Sequence, residues 1–172
     1  MNTNSSRLKP VFPSGEILDG LPKVSEKWHV RFLELAQHIA GWSRDPSTGV
    51  GAVIVDPQTK AILSTGFNGL PRGVHDTEDR LRDREYKLMV TAHAELNAIV
   101  HAARFGHRIA GSFLYTSLSP CSHCASAIVQ AGISCVVTTD EAFPARWVDS
   151  FTHGRSLLLE AGVGVINVRS EG

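Results

Sequence analysis

Cysteine, net charge, aromatic residues and long apolar runs are all in short supply in this chain, and each shortage excludes something. Three cysteines among 172 residues are too few, and odd in number, for a disulfide framework; they fit a reduced, intracellular setting. The 17 basic and 17 acidic side chains cancel, which leaves no electrostatic footprint for a polyanion such as nucleic acid or for an anionic membrane surface. Aromatic residues make up 7%, a poor supply of stacking platforms for unpaired RNA bases. No apolar run approaches the roughly 18 residues of a membrane span. The opening residues MNTNSSRLKP lack the apolar centre of a secretory signal, so a cytoplasmic chain with no membrane partner is expected.

What is present suffices for one domain of ordinary size. Residues 1–23, with Pro10, Pro13, Pro22, Gly15 and Gly20, read as an irregular N-terminal arm, and 24–172 as a single domain. From Ser25, a helix cap, Trp28, Phe32, Leu35, Ala36 and Ile39 recur at three- and four-residue steps as far as Gly41, the pattern of an amphipathic helix. Residues 50–55 and 61–66, split by a turn at Asp56-Pro57, read as a β-hairpin. The glycines and proline of 67–73 mark a shaped loop. Dense alternating charge over 75–87, Lys87 included, reads as a solvated helix or loop. A helix from His93, with an apolar stripe of Leu96, Ile99, Val100 and Ala103, stops at Gly106. Strands at 112–116, 133–138 and 163–168 then alternate with helices at 121–130 and 152–160, and Cys135 falls in an apolar run as core. A hairpin followed by this alternation predicts an α/β fold, with a mixed, partly parallel sheet of about five strands and helices on both faces.

Two short stretches carry the chemistry: His93-Ala94-Glu95 and Pro120-Cys121-Ser122-His123-Cys124. One imidazole and two thiolates suit Zn2+ and leave a fourth coordination position open for water, as in catalytic zinc sites. On a helix flank, His93 and Glu95 would point roughly 200° away from one another; they share a site only at a helix end. If both stretches open helices, the metal lies between two helix N-termini, whose N–H groups and macrodipole favour anionic thiolates. Pro120 suits such an entry. A structural zinc needs a fourth protein ligand, and His123 is either that ligand or a surface residue beside the site. Glu95 is the group able to move protons at an open position. H-x-E followed by P-C-x-x-C is the pattern of zinc-dependent nucleobase deaminases, in which a carboxylate takes a proton from water and returns it to the ring nitrogen and the departing amine.

The match extends beyond the motif through Arg44-Asp45-Pro46-Ser47-Thr48, Val50-Gly51-Ala52-Val53-Ile54-Val55, Ser64-Thr65-Gly66-Phe67-Asn68-Gly69-Leu70-Pro71-Arg72-Gly73, His93-Ala94-Glu95-Leu96-Asn97-Ala98-Ile99, Leu114-Tyr115-Thr116-Ser117-Leu118-Ser119-Pro120-Cys121 and Ile128-Val129-Gln130-Ala131-Gly132-Ile133. Together these segments, within residues 42–168, resemble the deoxycytidylate (dCMP) deaminase family, most of all its bacterial and phage members. The resemblance implies a three-layer α/β/α sandwich of the cytidine deaminase type, and conversion of dCMP to dUMP and ammonia that supplies dUMP for thymidylate synthesis. It implies one catalytic zinc held by His93, Cys121 and Cys124, with Glu95 as proton shuttle. It also implies a homohexamer activated by dCTP, with Mg2+, and inhibited by dTTP.

By the same resemblance, Asn68 matches an asparagine that contacts the sugar; its plainer reading is a turn residue before Gly69. Ala94 offers a backbone N–H to the base and Ser119 a carbonyl to its amine. Trp147 either packs beside the base or fills core or interface. A phosphate needs a cation or a cluster of N–H donors: Arg104 matches a position linked to nucleotide control, and Arg44 and Arg72 are further candidates. Three rival readings share the motif. A tRNA adenosine deaminase needs a cationic surface that zero net charge does not supply; a deaminase of another free cytosine nucleotide or nucleoside, or of a free base, fits the same zinc set; a zinc-stabilised binding module has no need for Glu95.

Overall fold

The structure, a computed structural model, describes residues 8–11, 19–139 and 145–170. The expected hairpin forms from β2 (Gly51–Val55) and β3 (Ile62–Phe67). Next to β2 runs β4 (Phe113–Thr116), antiparallel to it. β5 (Cys135–Thr139) and β6 (Gly164–Ser170) then extend the sheet in parallel with β4. These are the five strands predicted from the sequence, in a mixed sheet. A sixth, β1 (Leu8–Val11), pairs antiparallel with β6 at the sheet edge, where the sequence reads as irregular. The prolines that argue against a strand are tolerated there because an edge strand needs its ladder on one side only; Pro10 sits opposite Val168. The final order is β1-β6-β5-β4-β2-β3.

Both sheet faces are covered, and the period-two alternation of the strands sorts their side chains between two cores. Ala52, Ile54, Leu114, Val136 and Val165 point to one face, which is packed by α4 (Ala94–Phe105), α5 (Ser122–Gln130) and α6 (Val148–Glu160). Val53, Val55, Phe113, Tyr115, Cys135 and Val137 point to the other, which α1 (Glu26–Ala40) covers with Phe32, Leu33, Ala36 and Ile39. The result is the three-layer α/β/α sandwich. Cys135 is fully buried, as its apolar run implies. The charged stretch folds into two short helices, α2 (Glu78–Arg82) and α3 (Arg84–Val90). No helix among the described residues is long and apolar enough to cross a membrane.

One helix turns a different face inward from the one its apolar stripe predicts. In α4 the fully buried apolar residues are Ala94, Ala98 and Ala102; of the predicted stripe Ile99 packs partly buried against this core, while Leu96 and Val100 are 40% and 51% exposed and Ala103 is exposed too. The cause is close approach: α4 lies so near β3 that any side chain at Gly66 would run into the Ala94 carbonyl and the Ala98 amide. Small residues must therefore face the sheet, and the large apolar ones are turned outward. Gly106 ends the helix with a left-handed φ of 72°, a conformation open to glycine without steric cost.

Beneath the opposite face, His29 is 2% exposed, and its Nδ1 lies 3.1 Å from the Tyr115 hydroxyl. Burial, aided by the Lys60 charge, pushes the imidazole down to about 4 from its ordinary 6.5. Between those two values the unfolded chain binds a proton that the folded chain refuses, so stability is lost as pH falls from about 6.5 to about 4, by at most roughly 3 kcal/mol. Chemical denaturation at stepped pH should show this loss, and His29→Gln should flatten it; an unchanged slope in the variant would assign the acid sensitivity elsewhere.

Candidate active site between two helix N-termini

The two motifs meet because each opens a helix on the same face of the sheet. His93 is the N-cap of α4 and Cys121 the N-cap of α5, both with extended backbone, and neither side chain is spent on capping its own helix. The backbone carbonyls start the helices instead, accepting from Asn97 N–H at 2.9 Å and Ala125 N–H at 2.8 Å. Cys124, three residues into its turn, comes round to the same side as Cys121. His93 Nδ1 is 3.4 Å from each of the two sulfurs, and the three ligand atoms lie within 4.8 Å of one another. With Zn–S near 2.3 Å and Zn–N near 2.0 Å, the N···S edge of a tetrahedron is about 3.5 Å, close to both N···S separations, so this set fits zinc. His123 is exposed and stands outside the cluster, which leaves three protein ligands among the described residues and one coordination position open.

The electrostatics suit that purpose. The Cys121 thiol is held well below its ordinary range by hydrogen bonding from Cys124 and from His93, and Cys124, sharing that proton, is pushed up. Hydrogen bonding to Cys121 raises His93. Glu95, in the first turn of α4, is 3% exposed. Burial pushes its carboxyl up to about 7, where it can both take and give a proton near neutral pH. His93 and Glu95 share one site because His93 stands outside the helix proper, as their spacing requires. Behind the cysteine turn, α6 approaches so closely that a Cβ on Gly154 would lie 2.7 Å from the Pro120 carbonyl oxygen.

The metal set opens into a cleft of about 670 Å3, within the usual range for ligand pockets. The family model described as the cytidine and deoxycytidylate deaminase zinc-binding region matches residues 26–140. The chain belongs to this deaminase family. It is 41% identical, over 81% of its length and 92% of the relative's, to an uncharacterized deaminase in the luxG 3′ region of Aliivibrio fischeri. To human deoxycytidylate deaminase it is 35% identical, over 80% of this chain and 77% of the human one. Its fold superposes on the dCMP deaminase of cyanophage S-TIM5, solved in complex with dCMP and dUMP, with a TM-score of 0.69 at 30% identity, covering 84% of this chain and 99% of the phage one.

Of the deaminase residues singled out from the sequence, Asn68, Ala94, Ser119 and Trp147 line the cleft together with His93, Glu95 and Cys121. Arg44, Arg72 and Arg104 do not. Arg44 is drawn off by Asp76 at 2.8 Å on the surface, and Arg104 lies in the last turn of α4, about 15 Å along the helix from Ala94. Asn68 is no ordinary turn residue: Gly69 has no positive φ and instead pairs with Ala92 in an isolated antiparallel bridge. The Asn68 side chain ties down the loop opposite, accepting from Val50 N–H at 2.7 Å and donating to the Thr48 carbonyl at 2.9 Å. Trp147 packs on Phe151 with ring centroids 5.9 Å apart. Pro144, beside it in sequence, lies outside the described residues.

Lys87 is what the sequence reading missed. Set among alternating charges, it read as solvated, yet it is buried at the cleft wall, donating to Asp45 Oδ1 at 2.8 Å and to Ser47 Oγ at 3.3 Å. Its four-residue spacing from Asp83 and three-residue spacing from Arg84 resembles any surface helix, and its apolar neighbours Leu88 and Met89 are themselves exposed. Burial pushes the Asp45 carboxyl up, but hydrogen bonds from Lys87 and from Ser47 and Thr48 N–H outweigh this and hold it below its ordinary range. With both side chains close to 90% buried, removing one partner leaves an uncompensated charge, which costs about 3 kcal/mol. Urea denaturation should therefore show Lys87→Met destabilised by about that much, and the Lys87→Met/Asp45→Asn double variant restored by at least half; equal losses in both would rule out the pair as the source.

Proposed function

We propose that this protein hydrolyses dCMP to dUMP and ammonia. The observation that carries the reading is a buried carboxylate, Glu95, held beside a His–Cys–Cys metal set in a nucleotide-sized cleft. His93, Cys121 and Cys124 would hold zinc, which would supply the Lewis acidity that makes water nucleophilic near neutral pH. Glu95 takes a proton from the attacking water as the water oxygen adds to C4 of the cytosine, and passes the proton to N3. It then carries the remaining water proton to the 4-amino group. The C4–N bond breaks, ammonia leaves, and C4 keeps the oxygen as a carbonyl.

The base is oriented by the Ala94 N–H and the Ser119 carbonyl, with Trp147 flanking it. Asn68, its Oδ1 and one N–H already engaged with the 48–50 loop, has one N–H left for the sugar. A tRNA substrate is disfavoured by zero net charge. Thiol ligands suit a reducing, cytoplasmic setting, in which the product dUMP feeds thymidylate synthesis. The outward-facing Leu96, Val100 and Phe105 of α4 support assembly into a homo-oligomer, a hexamer by family resemblance, with dCTP and Mg2+ as effector.

Replacing Glu95 by Gln keeps the shape and removes the proton carrier. Turnover of dCMP should fall by about 100-fold to 10,000-fold while each chain still carries one zinc by elemental analysis. Wild-type turnover in a zinc-loaded Glu95→Gln variant would remove Glu95 from the mechanism.

A further inference from the structure

Cys121 leaves its turn from an N-cap that its own side chain does nothing to secure. It makes no side-chain capping bond to α5, so the open N–H groups of the first turn need another acceptor. The neighbouring helix α6 supplies one. Ser150 Oγ accepts from the Ser122 N–H at 3.3 Å and lies 3.3 Å from the Ser122 hydroxyl. The peptide joining Cys121 to Ser122 is therefore tied at both ends: its carbonyl accepts from Ala125 N–H at 2.8 Å, and its N–H donates to Ser150. Because a peptide unit is planar, tying both ends fixes the backbone angle through which Cys121 enters the helix. At α4 the matching N–H, on Ala94, is offered to the base in the proposed reaction; at α5 it is given to α6.

A second contact falls on the same segment. One turn beyond Ser150, on the same face of α6, a Cβ on Gly154 would lie 3.1 Å from the Cys121 carbonyl carbon and 3.2 Å from its oxygen. Thus α6 bears on the cysteine turn at two points a helical turn apart, one by close approach and one by hydrogen bonding. Close approach limits where the turn can move, and only the hydrogen bond sets how its peptide is oriented.

We propose that Ser150 is a positioning residue for the metal set: by capping α5 from α6, it holds Cys121 in the orientation that binds zinc. It acts through the Ser122 peptide and adds no ligand of its own. The inference rests on the zinc set of the deaminase reading and not on which nucleotide is the substrate.

The test uses the full chain, loaded with zinc or reconstituted with Co2+, as wild type, Ser150→Ala, Ser150→Thr and Ser122→Ala. Zinc affinity is read by competition with a chelator, ligand geometry from the visible absorption of the cobalt form, and dCMP turnover with zinc in excess. Ser150→Ala should bind zinc about 10-fold more weakly, the loss usual when an outer partner of a metal site is removed, with kcat lowered by up to about as much. Its cobalt bands should shift while KM holds. Ser150→Thr, which keeps the hydroxyl, should restore most of the affinity, and Ser122→Ala, which keeps the backbone N–H, should cost less than Ser150→Ala. Wild-type zinc affinity and an unchanged cobalt spectrum in Ser150→Ala overturn the inference: with a raised KM they make Ser150, which lines the cleft, a substrate contact, and with lowered urea stability alone a packing residue. Weakened zinc binding in Ser150→Ala, in a chain whose wild type releases no ammonia from dCMP, upholds the positioning role and overturns the deaminase reading.

Discussion

Two helix N-termini converging on one face of the sheet are what the rest of the structure depends on. A histidine and a carboxylate two residues apart cannot serve one site from a helix flank, and two cysteines three apart reach a common point only from a first turn. Both conditions hold because His93 and Cys121 are N-caps whose side chains are free of capping duty. The convergence needs helices seated close to their neighbours: α4 on β3 over Gly66, and α6 on the cysteine turn at Gly154. The alanines at positions 94, 98 and 102 of α4 follow from the same demand.

Burial then divides the cleft into two regimes. At the metal end, desolvation raises Glu95 into the range where it exchanges protons near neutral pH, and two N-terminal dipoles favour thiolate. Along the wall, charge is kept only where it is compensated, as in Lys87 with Asp45 and Ser47. This pair and the Asn68 side chain fix the loop of residues 45–50 from two sides, so the wall facing the substrate is held by hydrogen bonds that are in place before substrate arrives. Pre-formed walls lower the ordering cost of binding, which matters for a small substrate with few atoms to contribute.

Much of this was legible in the sequence. Zinc-ligand spacing, the hairpin, the alternating strands and helices and the Gly106 stop all rest on local rules of period and capping, and local rules survive folding. What escaped depended on distance in space. The stripe of Leu96, Val100 and Ala103 has helical period, but period alone does not say which face meets the sheet; Gly66, 28 residues before Ala94 in the sequence, decides it. Lys87 is one charge among many until Asp45, 42 residues away, makes it a buried partner. The strand Leu8–Val11 is hidden by its proline because edge and interior strands obey different rules. Asn68 reads in sequence as either a sugar contact or a turn residue; its side-chain bonds to Thr48 and Val50 could not be foreseen from that position alone. The arginines that the family resemblance singles out, Arg44, Arg72 and Arg104, are not among those lining the cleft.

The fold and zinc set carry the reaction, and the walls of the cleft carry the choice of substrate. The most direct check on the whole account is ammonia release by the zinc-loaded chain from dCMP, deoxycytidine, CMP, dCTP and an adenosine-containing tRNA stem-loop at equal concentration. The account predicts release from dCMP above every other compound. Release from the stem-loop alone, or from none of them, would contradict it.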